Sequence, residues 1–301
     1  MTFTTRLKEE LSKISDNDIE KRVSLIAFFN ANRKVDETIF LSSETISVIR
    51  KVNDDIKAIF KSHPTITVRI QKRFKEKIIY ILEINDNIEN ILLSVKYDSI
   101  NNICFSTEEK IAFLKGAFLA GGSITDPKNS GYHLEFSARS QNFANDINIL
   151  LNELNLSSKI ITRGSKYIVY IKAAEEISDL IKMFKAVNSL FYFEDIRIYR
   201  NQKNNVNRIT NCEIANQEKS VKTGLTQLED IYYLKTNNLI DLLDDRMQII
   251  LEYREKYPDA SYNELAELIT INTEYKIGKS GINHNFIKIR NLVKKYKEGK
   301  K

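Results

Sequence analysis

Two stretches of this chain repeat one order of elements 89 residues apart, and a repeat of that length leaves few folds open. The first opens with helical apolar periodicity over 5–32, followed by a strand over 38–42 and a helix over 46–60. Alternating strands over 65–71 and 77–84 come next, joined by the basic turn Lys72-Arg73-Phe74-Lys75-Glu76, and a further helix begins over 87–94. The second stretch predicts a helix over 107–120, a strand over 132–138 and a helix over 140–154. A hairpin of 159–162 and 166–172 turning at Gly164-Ser165, then a helix over 174–185, close it. Each half thus offers a sheet on one side and helices on the other. Gly116 and Ala120 lie four apart, on one face of the second half's first helix, and Ala27 and Ala31 repeat that spacing in the first half. Small faces let helix axes approach closely, so these two helices are expected to pack on each other about a pseudo-dyad.

Beyond the repeat, a polar stretch from Asn201 to Asn207 reads as a linker, and 214–233 is helical in pattern. Three more helices are predicted over 239–257, 261–269 and 281–296. Ser261 with Glu264 three residues on forms a capping box. Ile282, Phe286, Ile289 and Val293 make an apolar stripe for a small core. Opposite it fall His284, Lys288, Asn291 and Lys295, side chains suited to base edges and phosphates. Lys279, Ser280 and the free amides at that helix start can hold a phosphate. The last helix therefore reads as the recognition helix of a helix-turn-helix. Its candidate DNA contacts are Ser261, Lys279, Ser280, Asn283, His284, Lys288, Asn291, Lys294 and Lys295. The connection from Thr270 to Gly278 is longer than the usual turn of that motif.

Charge agrees with this placement. The net charge is +6, yet residues 275–301 hold nine basic side chains and one acid, Glu298, while the remainder holds 37 basic and 39 acidic. A basic end on a near-neutral body suits a polyanion. Arg69, Lys72, Arg73 and Lys75 on the body read as solvated charge. Cys104 and Cys212 are far apart and, with only His63, His133 and His284, assemble no zinc cluster; two reduced thiols of a cytoplasmic protein are the simpler reading. No run of 18 apolar residues exists, which excludes a membrane helix, and the charged, amphipathic N-terminus does not read as a signal peptide.

The stretch Leu114-Lys-Gly-Ala-Phe-Leu-Ala-Gly-Gly-Ser-Ile124 resembles the motif of LAGLIDADG homing endonucleases. That resemblance implies a shared metal site at the two helix ends, held by one acid from each. The matching positions here are Asn32 and Gly121, neither of which can replace a carboxylate on Mg²⁺. Asp126, five residues on, sits in a predicted turn. The whole chain is similar to the WhiA family of bacterial regulators. The similarity is carried by this motif and by Glu135-Phe-Ser-Ala-Arg-Ser140, Asn207-Arg-Ile-Thr-Asn-Cys-Glu-Ile-Ala-Asn216, Gln227-Leu-Glu-Asp-Ile231, Pro258-Asp-Ala-Ser261 and Gly278-Lys-Ser-Gly-Ile-Asn-His284. It implies an α+β fold of two pseudo-symmetric LAGLIDADG-like αββαββα halves, 1–100 and 101–190, then a linker with helix over 191–235 and an all-α helix-turn-helix domain over 236–301. It further implies a non-catalytic DNA-binding regulator of transcription without a cofactor, cytoplasmic and nucleoid-associated, with roles in sporulation or in cell division and chromosome segregation. Double-stranded DNA is its expected partner, with transcription machinery or division proteins beside it. An active metal-dependent endonuclease, and an RNA-binding or protein-interaction scaffold, are the competing readings.

Overall fold

The computed structural model describes residues 1–32, 34–35, 38–71, 77–96 and 106–298, the pair 34–35 by its backbone alone. The basic turn 72–76, Cys104 and the last three residues lie outside that set. The chain divides into two compact units, Met1–Arg200 and Asn201–Lys301.

The first unit contains the repeat. After α1 (Phe3–Leu11) its first half runs α2 (Asp18–Asn32), β1 (Lys34–Val35), β2 (Ile39–Ser43), α3 (Ile46–Phe60), β3 (Thr65–Gln71), β4 (Lys77–Ile84) and α4 (Ile88–Ser94). The second half runs α5 (Thr107–Gly121), β5 (Gly122–Ile124), β6 (Leu134–Ala138), α6 (Gln141–Glu153), β7 (Lys159–Arg163), β8 (Lys166–Ile171) and α7 (Ala174–Met183). Both sheets are antiparallel and share one topology, β1-β2-β4-β3 and β5-β6-β8-β7. Gly164, at φ +61°, makes the predicted hairpin turn between β7 and β8. The alternation of the strands sorts the faces: Ile39, Leu41, Leu82 and Ile84, like Leu134, Phe136, Val169 and Ile171, are buried under the helices.

The pseudo-dyad is where the small residues placed it. Helices α2 and α5 pack on each other, and a Cβ added to Gly116 would lie 2.1 Å from the carbonyl oxygen of Ser24. Any side chain there would drive the helices apart.

Two features of this unit depart from the sequence reading. The helix expected over 5–32 is broken at 12–17. Asn17 caps α2 by accepting from the Glu20 amide at 2.8 Å and donating its own amide to the Glu20 carboxylate at 2.9 Å. Strands β1 and β5, short and directly after helix ends, have no counterpart in the apolar pattern of the residues, but they complete the αββαββα order that the resemblance implies.

Helix α8 (Val187–Thr236) begins in the first unit and ends in the second, so the polar stretch 201–207 is helical rather than an irregular linker. No Gly or Pro occurs from Val187 to Thr223, so no helix-breaking residue interrupts that stretch. The second unit continues with a 3₁₀ turn (Ile240–Leu242), α9 (Asp245–Lys256), α10 (Tyr262–Asn272) and α11 (Lys279–Glu298). The helix expected over 239–257 therefore starts later, at the Asp244 cap, whose carboxylate accepts from the Met247 amide at 2.7 Å. The second core gathers Ile231 and Leu234 of α8, Ile250 and Leu251 of α9, Leu265 and Ile269 of α10, and Ile282, Phe286, Ile289 and Val293 of α11.

Candidate nucleic-acid interface

Helix α11 carries the two faces that its sequence predicts. Ile282, Phe286, Ile289 and Val293 are buried, whereas Lys279, Ser280, Asn283, His284, Lys288, Asn291, Lys294 and Lys295 are all exposed. Two further cations turn inward to α8: Arg290 Nε lies 4.0 Å from the Asp230 carboxylate, and Lys297 Nζ stands 4.7 Å over the Tyr233 ring. Lys279, Lys288, Lys294 and Lys295 have no carboxylate within ion-pair distance among the described residues. Ile287 is 49% exposed on the same outward face, and sequence reasoning did not single it out.

The start of α11 opens beside the start of α10. A cavity of about 650 Å³ there is lined by Ser261, Tyr262 and Asn263, by Lys279, Ser280 and Asn283, and by Asn216, Lys219, Ser220 and Thr223 of α8. Two helix N-termini and two lysines thus face one hollow, a favourable place for a phosphate. The capping box at α10 forms as expected: Ser261 Oγ accepts from the Glu264 amide at 3.3 Å, and the Ser261 amide donates to Glu264 at 2.6 Å. The amide and then the hydroxyl of Ser261 hold the Glu264 carboxyl below its ordinary pKa. The α8 contribution was missed, because an exposed polar helix segment has no periodicity to mark it.

Arg254 of α9 fixes the turn before α10. Its guanidinium donates to the carbonyls of Tyr257, Pro258 and Ala260 at 3.3, 3.1 and 2.6 Å and lies 5.7 Å over the Phe286 ring. Gly224 lets α8 approach that turn, since a Cβ there would lie 2.1 Å from the Pro258 carbonyl oxygen. The connection 273–278 is held by Thr270 Oγ1, which accepts from the Ile277 amide at 3.4 Å, and by burial of Ile277. Six residues between α10 and α11 remain more than the 3–4 of a simple motif.

In the first unit the ends of α2 and α5 meet at a second cavity, of about 500 Å³. Asn32 reaches it but is engaged: its Nδ2 donates to the Ser42 carbonyl, and its Oδ1 accepts from the Ser42 amide at 3.3 Å, as one strand residue would bond another. Gly121 faces β6 so closely that a Cβ would lie 2.7 Å from the Ser137 carbonyl oxygen. Lys8 of α1 lines the same cavity; burial pushes its ammonium pKa down to about 8, partly countered by Glu44. Glu44 is the one carboxylate lining it among the described residues, and it accepts from Lys77 Nζ at 2.7 Å. An amide, a bare backbone and an ammonium do not fit the divalent cation that a homing-endonuclease fold implies. Asp126 is elsewhere, accepting from the Tyr192 hydroxyl at 3.2 Å.

The fold and site define a helix-turn-helix protein with a LAGLIDADG-like body, and comparison with known proteins narrows that class. Residues 25–96 match the family described as the WhiA N-terminal LAGLIDADG-like domain, 110–203 the WhiA LAGLIDADG-like domain, and 206–293 the WhiA C-terminal HTH domain. The chain belongs to the WhiA family. Relatives named "Probable cell division protein WhiA" share 34% identity in Thermoanaerobacter sp. and 32% in Clostridium tetani, each over 99% of both chains. The crystal structure of full-length DUF199/WhiA from Thermatoga maritima superposes with a TM-score of 0.60 at 22% identity, covering 98% of this chain and 99% of that one, which shows the shared fold. No helix among the described residues is long and apolar enough to cross a membrane.

Proposed function

We propose that this chain is a non-catalytic regulator that grips duplex DNA through α11 and serves cell division and chromosome segregation. The observation that carries this reading is the outward face of α11, where Asn283, His284, Ile287 and Asn291 stand among four lysines while the opposite face is buried. Amides and imidazole suit base edges, the aliphatic group suits a thymine methyl, and the lysines suit phosphates. The hollow at Ser261, Lys279 and Ser280 supports a backbone phosphate at the start of that helix. The cell-division part of this reading accords with the names of its relatives, and we extend it to a cytoplasmic, nucleoid-associated protein working beside transcription machinery or division proteins.

The residues at the helix tips support the non-catalytic part of the reading. Asn32 is committed to β2, Gly121 has no side chain, and Lys8 brings positive charge to the place where cations would gather. Binding is tested by titrating a duplex library at several salt concentrations. Lys288→Ala with Lys295→Ala is expected to weaken binding and to flatten the slope of log affinity against log salt by about two. Full affinity in the double variant would remove α11 from the interface.

A further inference from the structure

The cleft at the tips of α2 and α5 rejects a metal ion, yet its lining is far from inert. Lys8, Arg139 and Lys166 reach it from three separate elements: α1, the end of β6 and the start of β8. The hydroxyls of Ser43 and Ser137 stand among them. Glu44 is the opposing carboxylate, and its charge is already met by Lys77. Lys8 is half-buried, lies 5.8 Å from the centre of the Phe118 ring, and has no carboxylate within ion-pair distance among the described residues. Withdrawing an ammonium from water with only Glu44, beyond ion-pair distance, to counter it is costly, and a cavity onto which both Lys8 and Lys166 open offers an anion a place to complete it.

We propose that this cleft binds a small phosphorylated ligand, its phosphate held among Lys8, Arg139 and Lys166 with Ser43 and Ser137 donating to the remaining oxygens. Cations converging from three sides match the spread charge of a phosphate better than the single edge of a carboxylate. A volume of about 500 Å³ is that of a small-molecule pocket. A small ligand is favoured over a duplex because α1 walls the cleft. Thr4 fastens that helix to β5, its hydroxyl donating to the Ile124 carbonyl at 2.8 Å and accepting from the Ile124 amide at 2.9 Å. Glu10, at the other end of α1, accepts from the amides of Asn188 and Ser189 at 2.7 and 2.8 Å. Because Ser43 belongs to the first half and Ser137 and Lys166 to the second, an occupant would touch both halves of the repeat.

The test is calorimetric titration of the full chain with inorganic pyrophosphate at pH 7, and it does not depend on how α11 meets DNA. Wild type and Lys279→Ala, which lacks a lysine of the hollow at the start of α11, are each expected to take up one pyrophosphate in this cleft. Lys8→Met, which keeps an apolar stem over Phe118, and Lys166→Ala should each weaken uptake at least tenfold. Lys288→Ala with Lys295→Ala should leave it unchanged. Circular dichroism checks that Lys8→Met is folded, and the exposed Lys166 supplies the decisive variant if it is not. Three outcomes overturn the proposal: no uptake by wild type, uptake indifferent to Lys166→Ala, or a loss confined to duplex affinity, which would hand these cations to a DNA backbone.

Discussion

Ile287 stands half exposed on the outward face of α11, on the side that bears Asn283, His284 and Asn291. An aliphatic side chain has nothing to offer a phosphate, whereas a thymine methyl in the major groove is apolar and within reach of a docked helix. The surrounding lysines grip every sequence alike. Ile287→Ala is therefore expected to leave the salt dependence of binding intact and to erase roughly 1–3 kcal/mol of preference at one base pair. Lys295→Ala should do the reverse, lowering all affinities together. Competition among duplexes randomised at single positions separates the two, and identical profiles for both variants would rule out base reading by Ile287. Asn32 allows an equally local test. Its amide donates to the Ser42 carbonyl, which a carboxylate cannot do, so Asn32→Asp should lower stability by about 1–3 kcal/mol in chemical denaturation rather than create a cation site. Mn²⁺-dependent stabilisation of that variant would show the opposite. Sequence alone assigned the lysines and amides of α11 because polar residues on a helix back are visible as a pattern. It passed over Ile287, since an isoleucine in an amphipathic helix reads as core. Lys8 was missed too, because only the fold brings residue 8 beside residues 121 and 166.

At the scale of elements, the join of the two halves combines a tight apolar contact with a buried ionic cluster. Asp16, in the loop before α2, meets Lys115 of α5 and Lys51 of α3; Lys51 Nζ lies 3.0 Å from its carboxylate, and Lys51 also meets Asp55 at 3.2 Å. Burial alone would raise the Asp16 pKa, but Lys115 and Lys51 outweigh it and hold the carboxyl below its ordinary value. For Asp55 burial prevails over Lys51, and its pKa is raised. The signs of their contributions differ accordingly. Asp16 stabilises the fold at neutral pH and loses that contribution as pH falls below about 4, through its depressed pKa. Asp55 is strained when ionised and is relieved by the same fall. Asp16→Asn strands the buried Lys115 and leaves Lys51 with Asp55 alone, and is expected to cost about 3–5 kcal/mol at pH 7, with Asp55→Asn costing clearly less. Denaturant titrations at pH 7 and at about pH 2.5 decide: the Asp16→Asn deficit should shrink in acid, and an Asp55→Asn deficit equal to it at pH 7 would contradict the assignment. The helices and hairpins of this region were legible because apolar periods of 3.6 and 2 survive in the residues. What was not legible follows from the absence of such periods. The capped break at Asn17 lies within continuing helical spacing, β1 and β5 are too short to alternate, and 201–220 of α8 is exposed almost throughout.

For the molecule as a whole, the two apolar cores share no residue: one gathers side chains from Phe3 to Phe193, the other from Ile231 to Val293. Separate cores make separate cooperative units, so a single stability does not describe this chain. Calorimetry of the full protein is expected to show two transitions that point substitutions move independently. Arg254→Met removes three hydrogen bonds to carbonyls behind α10 and leaves those oxygens without their donor. At a cost of about 2 kcal/mol, the transition of a unit of some 100 residues should fall by roughly 10 °C. Asp16→Asn, in the other core, should lower the other transition and leave this one in place. Because Arg254 orients the start of α10 beside α11, its loss should also weaken duplex binding at temperatures where the Met1–Arg200 unit is still folded. Pyrophosphate uptake by that unit should persist in the same sample. A single transition shifted by both substitutions would mean that the two cores melt as one, and the separation of DNA grip from cleft chemistry would then have no thermodynamic basis.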